Sequence, residues 1–544
     1  AQVHVRLPVL FHRCPFSSKA KEMEADAKPQ GDAPEMREVK TIKVGKVVMS
    51  AEFHGSRCGR LVKGIIFTSV VMPLVYIFLM SLSALVLMAA ENCKWNPSFQ
   101  TMAAALTGGA LLLSNDACIP SGTGSKIMMT FLGSWGIGAW GFMVAMLTSL
   151  QEWWVTSDPM ASGTKIVKKG SLKNNRGRCN LWVGATVLVL CAVILQLFLA
   201  TFFALILQAD GDFNYPTSWR TISWTQLGGG VPYQVGVPNS SLSGTFLCII
   251  GLWAIGWETL IISKVGNAVS EIVGNEYSVK NLKQSVMAFC GFAILFLPAS
   301  LLLMMCVSGL ILVSVLDLSW QACFWITLPS ITGGAASVYS LPSDHHFDTG
   351  GVAMLIIVSS LSFAYLSICV GIGGLCVDPI VDTLGFGKSE NPTVLKGVWK
   401  LLLAITIVIP LAVCLVSLPI GGVLAAVEDW DFADGFWWCV AAQLGGGMSL
   451  SPGVIQTVGG RFLGVMVTAN SIAFSVITIG FSGSPATEHL QQTLWMYMDE
   501  MAEKAKEEAV QVKEEAVHVK EEVVGTKKSE ESPPAEEAAK ISEI

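Results

Sequence analysis

Charged residues are scarce in this 544-residue chain. Lys, Arg, Asp and Glu make up 14% of the sequence, 52% is hydrophobic, and the mean hydropathy is +0.56. A soluble protein of ordinary composition carries roughly 25% charged residues. The shortage of charge excludes a water-soluble globular protein and predicts a polytopic membrane protein.

Several chemical motifs are also absent. The 14 cysteines include no CxxC spacing, so no transition-metal site is expected. No apolar segment carries Arg or Lys at every third position, which argues against a voltage sensor. Neither a Walker motif nor a dinucleotide-binding motif is present, so we expect no enzyme and no cofactor. The net charge of -6 gives no indication of nucleic acid as a partner.

Long apolar segments are abundant, and eight of them reach the roughly 20 residues that a bilayer-spanning helix needs. They are residues 64–90, 126–151, 181–208, 242–264, 285–316, 350–376, 399–426 and 460–483. The loops after the second, fourth and sixth segments carry most of the Lys and Arg, so the positive-inside rule predicts cytosolic termini. We therefore expect a multi-pass protein of a lipid bilayer, with the plasma membrane favoured. The opposite loops are acidic, which would concentrate cations there.

A short glycine motif occurs four times, each time between two apolar segments and after a stretch too short to cross the bilayer. The copies are Leu106-Thr107-Gly108-Gly109, Leu227-Gly228-Gly229-Gly230, Ile331-Thr332-Gly333-Gly334 and Leu444-Gly445-Gly446-Gly447. Glycine readily adopts a backbone path that turns carbonyls toward a dehydrated cation. The short stretches are predicted to be half-helices that enter the membrane and return through the glycines.

The predicted fold is an all-α polytopic membrane protein with eight transmembrane helices in four span–pore loop–span repeats of pseudo-fourfold symmetry. One glycine of each copy recurs at intervals of 121, 104 and 113 residues. A glutamine, Gln226 or Gln443, directly precedes the second and fourth copies but not the first and third. This alternation suggests duplication of a two-unit ancestor. The predicted order is a disordered cytosolic arm, four pore repeats and a charged, partly helical cytosolic tail, at residues 1–62, 63–153, 154–265, 266–376, 377–485 and 486–544.

The candidate selectivity filter would hold K⁺ at its backbone carbonyls, and close helix packing is the alternative role for its glycines. The filter residues are Thr107, Gly108, Gly109, Gly228, Gly229, Gly230, Thr332, Gly333, Gly334, Gly445, Gly446 and Gly447. Candidates for gating are Glu258, Gly136, Gly138 and Gly371. Glu258 is the acid placed inside a predicted span, about a turn and a half from its cytosolic end, where a structural pair with Lys264 is the alternative.

Cys93 and Cys118 lie on the predicted outer side and flank the first pore segment. Oxidising surroundings would permit a disulfide between them, which is one of the interpretations that the sequence allows.

The four-unit plan of residues 63–485 resembles the Trk/Ktr/HKT superfamily of monovalent cation transporters and channels. The two stretches that carry the resemblance are Gly133-Ser134-Trp135-Gly136-Ile137-Gly138-Ala139-Trp140-Gly141-Phe142-Met143 and Ala442-Gln443-Leu444-Gly445-Gly446-Gly447-Met448-Ser449. In that superfamily one glycine per repeat lines the filter, the matching positions here being Gly109, Gly230, Gly334 and Gly447. A glycine in all four repeats implies K⁺ selectivity.

The function expected from the resemblance is passive or gradient-driven transport of monovalent cations, with K⁺ favoured. The basic residue that the superfamily carries at mid-depth in its last inner helix is missing, because Arg461 stands at the outer end. The alternatives are a tandem-pore-like potassium channel, whose usual filter sequence is absent, a coupled secondary transporter, and a non-conducting auxiliary or scaffold subunit. Expected partners are the bilayer and monovalent cations, with a homo-oligomer or a cytosolic regulatory subunit as candidates.

Overall fold

The computed structural model describes most of the apolar part of the chain. The described residues are 42–44, 47–49, 64–108, 118–155, 175–211, 213–228, 241–274, 281–333, 338–339, 347–386, 393–445, 450–451, 453–484 and parts of 487–511. Backbone contacts divide the chain into two units, Ala1–Gly55 and Ser56–Ile544.

The N-terminal part, Ala1–Gly55, contains a short antiparallel hairpin. Strands β1 (Ile42–Val44) and β2 (Val47–Met49) pair so that Ile42 lies opposite Met49 and Val44 opposite Val47. The hairpin falls within the arm for which the sequence predicts no fold. The rest of that arm lies outside the described residues.

The described residues of Ser56–Ile544 are mostly helical and include no strand, and eight of the helices are long and apolar enough to cross a membrane. They are α1 (Gly64–Glu91), α3 (Thr123–Val155), α4 (Asn175–Ala209), α6 (Ser241–Gly274), α7 (Leu282–Val313), α9 (Thr349–Phe386), α10 (Val394–Glu428) and α12 (Val458–Ser482). They are consistent with an integral multi-pass membrane protein and coincide with the eight predicted spans. Helices α6 and α9 continue past residues 265 and 376, where the sequence suggested repeat boundaries.

Each of four short helices lies between two long helices along the chain. They are α2 (Trp95–Leu106), α5 (Tyr215–Gln226), α8 (Trp320–Thr332) and α11 (Phe432–Gln443). Each corresponds to a predicted half-helix. Each is followed within two residues by a glycine with positive φ, and Gly108, Gly228, Gly333 and Gly445 are called the turn glycines below.

The long helices fall into two classes by burial. In α3, α6, α9 and α12, 61% of the most apolar 18-residue stretch is buried within the protein, whereas the figure is 24–39% in α1, α4, α7 and α10. The second class presents large apolar side chains outward, including Phe78, Phe198 and Leu295. The helix that follows each short helix is therefore an inner helix, and the helix that precedes it has the exposed apolar surface expected toward lipid.

The four helix–short helix–helix units share sequence positions when residues are counted back from the turn glycines. Aromatic residues occupy the positions 13 and 9 residues earlier, namely Trp95 and Phe99, Tyr215 and Trp219, Trp320 and Phe324, and Phe432 and Phe436. A buried leucine stands 21 residues earlier in each preceding long helix, as Leu87, Leu207, Leu312 and Leu424. The spacing between an outer helix, a short helix and a glycine turn is therefore the same in the four units.

Three of the four outer helices also share a π-helical turn followed by proline. The turns are Phe67–Val71, Phe292–Phe296 and Ala404–Val408, and Pro73, Pro298 and Pro410 each stand 35 residues before their turn glycine. Proline lacks the N–H that an α-helical turn would use, which a local π-turn accommodates. In α4 the equivalent position is Val193, and the helix is α-helical there.

A disulfide joins Cys93, just after α1, to Cys118, which precedes α3, with an S–S distance of 2.04 Å. The pairing that the sequence allowed is therefore confirmed. It closes a loop of 25 residues around the first short helix.

Replacing both Cys93 and Cys118 with serine is expected to destabilise the protein by about 3 kcal/mol, because the open loop gains conformational entropy in the unfolded chain. Thermal unfolding of the purified double variant in detergent measures the loss. Cys191→Ser is the control, because Cys191 is an exposed free cysteine. An unchanged unfolding midpoint in the double variant would contradict a structural role for this bond.

The segment after α12 packs back onto the helices instead of extending as a wholly solvated helix. Leu490 and Trp495 are buried, and the Trp495 ring lies 5.2 Å from the ring of Phe67 in the first π-turn. The Gln491 Nε2 donates to the carbonyl of Ser482 at 2.7 Å. The start of the predicted tail is thus part of the packed structure.

Candidate functional site

The four short helices end where glycine is required. The φ angles of Gly108, Gly228, Gly333 and Gly445 are 65°, 78°, 65° and 100°, values that residues with a Cβ adopt only with strain. The turn glycines end their helices abruptly and send the chain in a new direction. Each of the four glycine copies in the sequence therefore contains one glycine with a positive φ at the end of a short helix.

The turn glycines also approach one another in pairs across the protein. A Cβ on Gly445 would lie 3.0 Å from the Cα of Gly108, and a Cβ on Gly228 would lie 3.4 Å from the Cα of Gly333. The first unit thus meets the fourth and the second meets the third, with backbone against backbone. Side chains at these four positions would occupy the space between the units.

A cavity of about 150 Å³ lies where the short helices converge. Its wall includes all four turn glycines and the middle of each inner helix, for example Ile137 of α3, Ile255 of α6, Phe363 of α9 and Ile472 of α12. The outer helix α1 adds Tyr76, whose hydroxyl donates to the carbonyl of Gly136 at 3.2 Å. Because every unit contributes, the cavity is central to the helical bundle, and it is called the central cavity below.

The electrostatics of the central cavity favour a cation. The carboxyl ends of four helices border it, and each brings a partial negative charge from unpaired carbonyls. The hydroxyl of Thr107 donates to the Ala103 carbonyl at 2.6 Å, and that of Thr332 donates to the Leu328 carbonyl at 2.8 Å. Both threonines line the cavity, and because their hydroxyl protons are engaged within the helix, the oxygen lone pairs remain for a ligand.

Glu258 lines the central cavity but lies deeper in its helix than the sequence suggested. The prediction ended the fourth span at residue 264, whereas the apolar part of α6 runs from Leu242 to Ser270 and the helix to Gly274. Glu258 is therefore 12 residues, roughly 18 Å along the axis, from Ser270. The expected position near the helix end is wrong, because the helix continues through the more polar residues after 264.

The positions of the predicted filter glycines can be counted from the turn glycines. The residue after each turn glycine is Gly109, Gly229, Gly334 or Gly446, so Gly230 and Gly447 stand one position further along than Gly109 and Gly334. Which glycines line a filter in the second and fourth copies, where three glycines are consecutive, stays a prediction. Gly109, Gly229, Gly230, Gly334, Gly446 and Gly447 themselves lie outside the described residues.

The three glycines predicted to act in gating, Gly136, Gly138 and Gly371, lie where helices pack closely. A Cβ on Gly136 would lie 2.4 Å from the carbonyl oxygen of Leu106, and one on Gly138 would lie 2.5 Å from the side chain of Ile405. A Cβ on Gly371 would lie 2.5 Å from the carbonyl oxygen of Gly266. The contacts account for glycine at these positions through packing, and a gating role stays a prediction.

Gln226 and Gln443 are buried behind the turns, and neither borders the central cavity. The Oε1 of Gln443 accepts from the Ser417 hydroxyl at 3.3 Å, so this side chain braces α11 against α10. Sequence reasoning missed Tyr76, which is buried and is the one tyrosine of outer helix α1. A lone tyrosine in such a segment was the available signal.

Several acids of the loops that join the helix pairs make structural bonds. Glu91 accepts from the backbone and hydroxyl of Ser121 at 3.1 and 2.9 Å, just before α3. Glu428 accepts from the Thr457 hydroxyl at 2.6 Å and from the Gln456 backbone at 2.8 Å, just before α12. These carboxylates join the outer and inner helices of the first and fourth units, a role that their acidic character alone did not indicate.

No known protein family, curated protein or solved structure matched this chain when each was compared with it. Within the described part of the chain, no group of three or more His, Cys, Asp or Glu side chains could hold a metal ion. The functional assignment consequently rests on the central cavity and the turns around it.

Proposed function

We propose that the protein transports monovalent cations, with K⁺ favoured, by passive or gradient-driven movement through a pore formed by its four units. The observation that carries the proposal is the convergence of four helix carboxyl ends, each followed by a glycine in the left-handed region, on one central cavity. Helix carboxyl ends and glycine carbonyls are the groups that replace water around a dehydrated cation.

The proposal extends to the architecture. The shared spacing of aromatic residues, leucines and turn glycines supports four pore repeats with pseudo-fourfold symmetry, as in the Trk/Ktr/HKT superfamily that the sequence resembles. Filter carbonyls would belong to the turn glycines and to the residues after them, which are Gly109, Gly229, Gly334 and Gly446. The basic loops would face the cytosol together with both termini, in a plasma membrane.

Uptake of Rb⁺ and Na⁺ into liposomes that contain the purified protein tests the proposal. We expect uptake above that of protein-free liposomes, with Rb⁺, a substitute for K⁺, preferred over Na⁺. A folded, inserted protein without uptake would contradict the proposal and favour the non-conducting subunit. Uptake that requires H⁺ or Na⁺ coupling would favour the secondary transporter.

The register of the filter can be tested in the same assay. Gly446→Ser is expected to change the Rb⁺/Na⁺ uptake ratio, because the residue after the turn glycine would face the ion. Gly447→Ser, one residue further along, serves as the matched variant and is expected to change it less. A larger effect at Gly447 would overturn the assignment drawn from the helix ends.

A further inference from the structure

The central cavity contains one carboxylate among the described residues that line it, that of Glu258. Glu258 lies in the middle of the apolar stretch of α6, an inner helix. The side chain is only partly exposed, and no hydrogen bond or ion pair joins it to another described residue. Within the described part of the chain, this acid thus borders the cavity at membrane depth without a hydrogen-bond or ion-pair partner.

Lys264, the structural partner considered for Glu258, is not positioned to pair with it. Lys264 is on the same helix, and six residues correspond to roughly 9 Å of rise and about 240° of rotation, so the two side chains leave the helix in different directions. The helix geometry therefore does not favour the structural pair with Lys264 that the sequence also allows.

An unpaired carboxylate at this depth is unfavourable without compensation. Removing an ion from water costs several kcal/mol unless another charge or a set of hydrogen bonds compensates. Ionisable side chains within membrane spans typically face a water-filled cavity and act on the ions that pass. A cation in the central cavity would supply the missing opposite charge.

Hydroxyl groups around the cavity are arranged to accept, not to donate. The Thr468 hydroxyl donates to the Gly464 carbonyl at 2.8 Å, and the Ser475 hydroxyl donates to the Ser471 carbonyl at 3.0 Å. Thr107 and Thr332 are bonded in the same manner within α2 and α8. With their protons committed to backbone carbonyls, these oxygens have lone pairs available for a cation.

We propose that Glu258 and the hydroxyl oxygens of the central cavity form a binding site for a partly hydrated monovalent cation, in addition to the backbone carbonyls of the filter. A volume of about 150 Å³ holds an ion together with several of its waters. Ion conduction benefits from successive sites of moderate strength. The inference deepens the proposed function, because the site lies on the same pathway.

Rb⁺ uptake measured over a range of Rb⁺ concentrations tests the site through Glu258→Gln. We expect the half-saturating concentration to rise by about tenfold, the effect of roughly 1.4 kcal/mol, while the maximal rate changes less. Glu258→Asp keeps the charge and should restore most of the affinity. Asp317→Asn is the control, because Asp317 is an exposed acid that does not line the cavity. A half-saturating concentration in Glu258→Gln equal to that of wild type would overturn the site.

A second measurement separates the site from the proposed function. Thermal unfolding of the detergent-solubilised protein is followed as K⁺ replaces N-methyl-D-glucamine. We expect K⁺ to raise the unfolding midpoint of the wild-type protein and of Asp317→Asn, and to raise that of Glu258→Gln much less. This result without Rb⁺ uptake would support the site and contradict conduction. Rb⁺ uptake with equal K⁺ stabilisation of wild type and Glu258→Gln would overturn the site and leave conduction intact.

Discussion

Replacing Gly445 with alanine is expected to reduce Rb⁺ uptake to the level of protein-free liposomes. The φ of Gly445 is 100°, and an added Cβ would lie 3.0 Å from the Cα of Gly108 across the junction of the first and fourth units. The neighbour is backbone, which cannot rotate away as a side chain would. The substitution therefore separates the two turns or tilts the carbonyls that follow them.

The control for Gly445→Ala is Gly385→Ala. Gly385 has a φ of 87° and no atom within 4 Å of an added Cβ, so alanine there meets comparable backbone strain without a collision. Alanine at a positive φ destabilises by about 1 kcal/mol or somewhat more, and both variants carry that penalty. Loss of uptake in both variants would show that general destabilisation is responsible and would contradict a specific role for the turn.

Replacing Gly421 with alanine is expected to cause a large loss of stability in the fourth unit. Outer helix α10 contacts short helix α11 here, and an added Cβ would lie 2.6 Å from the Cα of Phe436. In the opposite direction, a Cβ on Gly435 would lie 2.4 Å from the carbonyl oxygen of Gly421. One helix must move to relieve the overlap of the added Cβ, so we expect the free energy of unfolding to fall by about 3 kcal/mol, at the upper end of overpacking effects.

The neighbouring residue provides the matched control for Gly421→Ala. A Cβ on Gly422 would lie 3.4 Å from the side chain of Phe432, an ordinary contact. Gly422→Ala should leave the unfolding midpoint unchanged or raise it, because alanine favours a helix by up to about 1 kcal/mol over glycine. Thermal unfolding in detergent compares the two variants, and equal midpoints would contradict the close packing of α10 and α11.

The eight long helices could be predicted from the sequence because each consists of one apolar run, and hydropathy responds to little else. The half-helices that the sequence predicts at 99–106, 219–227, 321–331 and 434–444 begin one to four residues too late, since helix starts depend on capping. Asn214 and Ser319 accept from the backbone of Thr217 and Ala322, so α5 and α8 begin at Tyr215 and Trp320. Those signals are local and polar, and an apolar pattern does not include them.

Details of the region around the central cavity could not be read from the sequence. Which of three consecutive glycines takes the positive φ depends on where the short helix ends, and the letters Gly228-Gly229-Gly230 do not contain that information. The depth of Glu258 depends on how far α6 continues through polar residues, which tertiary packing decides. Conversely, the aromatic and leucine spacing that aligns the four units is visible in the sequence once the turn glycines provide the origin for counting.

The most direct test of the central claim is to locate a permeant ion in crystals of the protein grown with Tl⁺ in place of K⁺, using anomalous scattering. The account predicts an anomalous peak between the turn glycines Gly108, Gly228, Gly333 and Gly445, at the helix carboxyl ends. Ordered Tl⁺ confined to surface carboxylates, with the junction of the four units free of anomalous density, would contradict it.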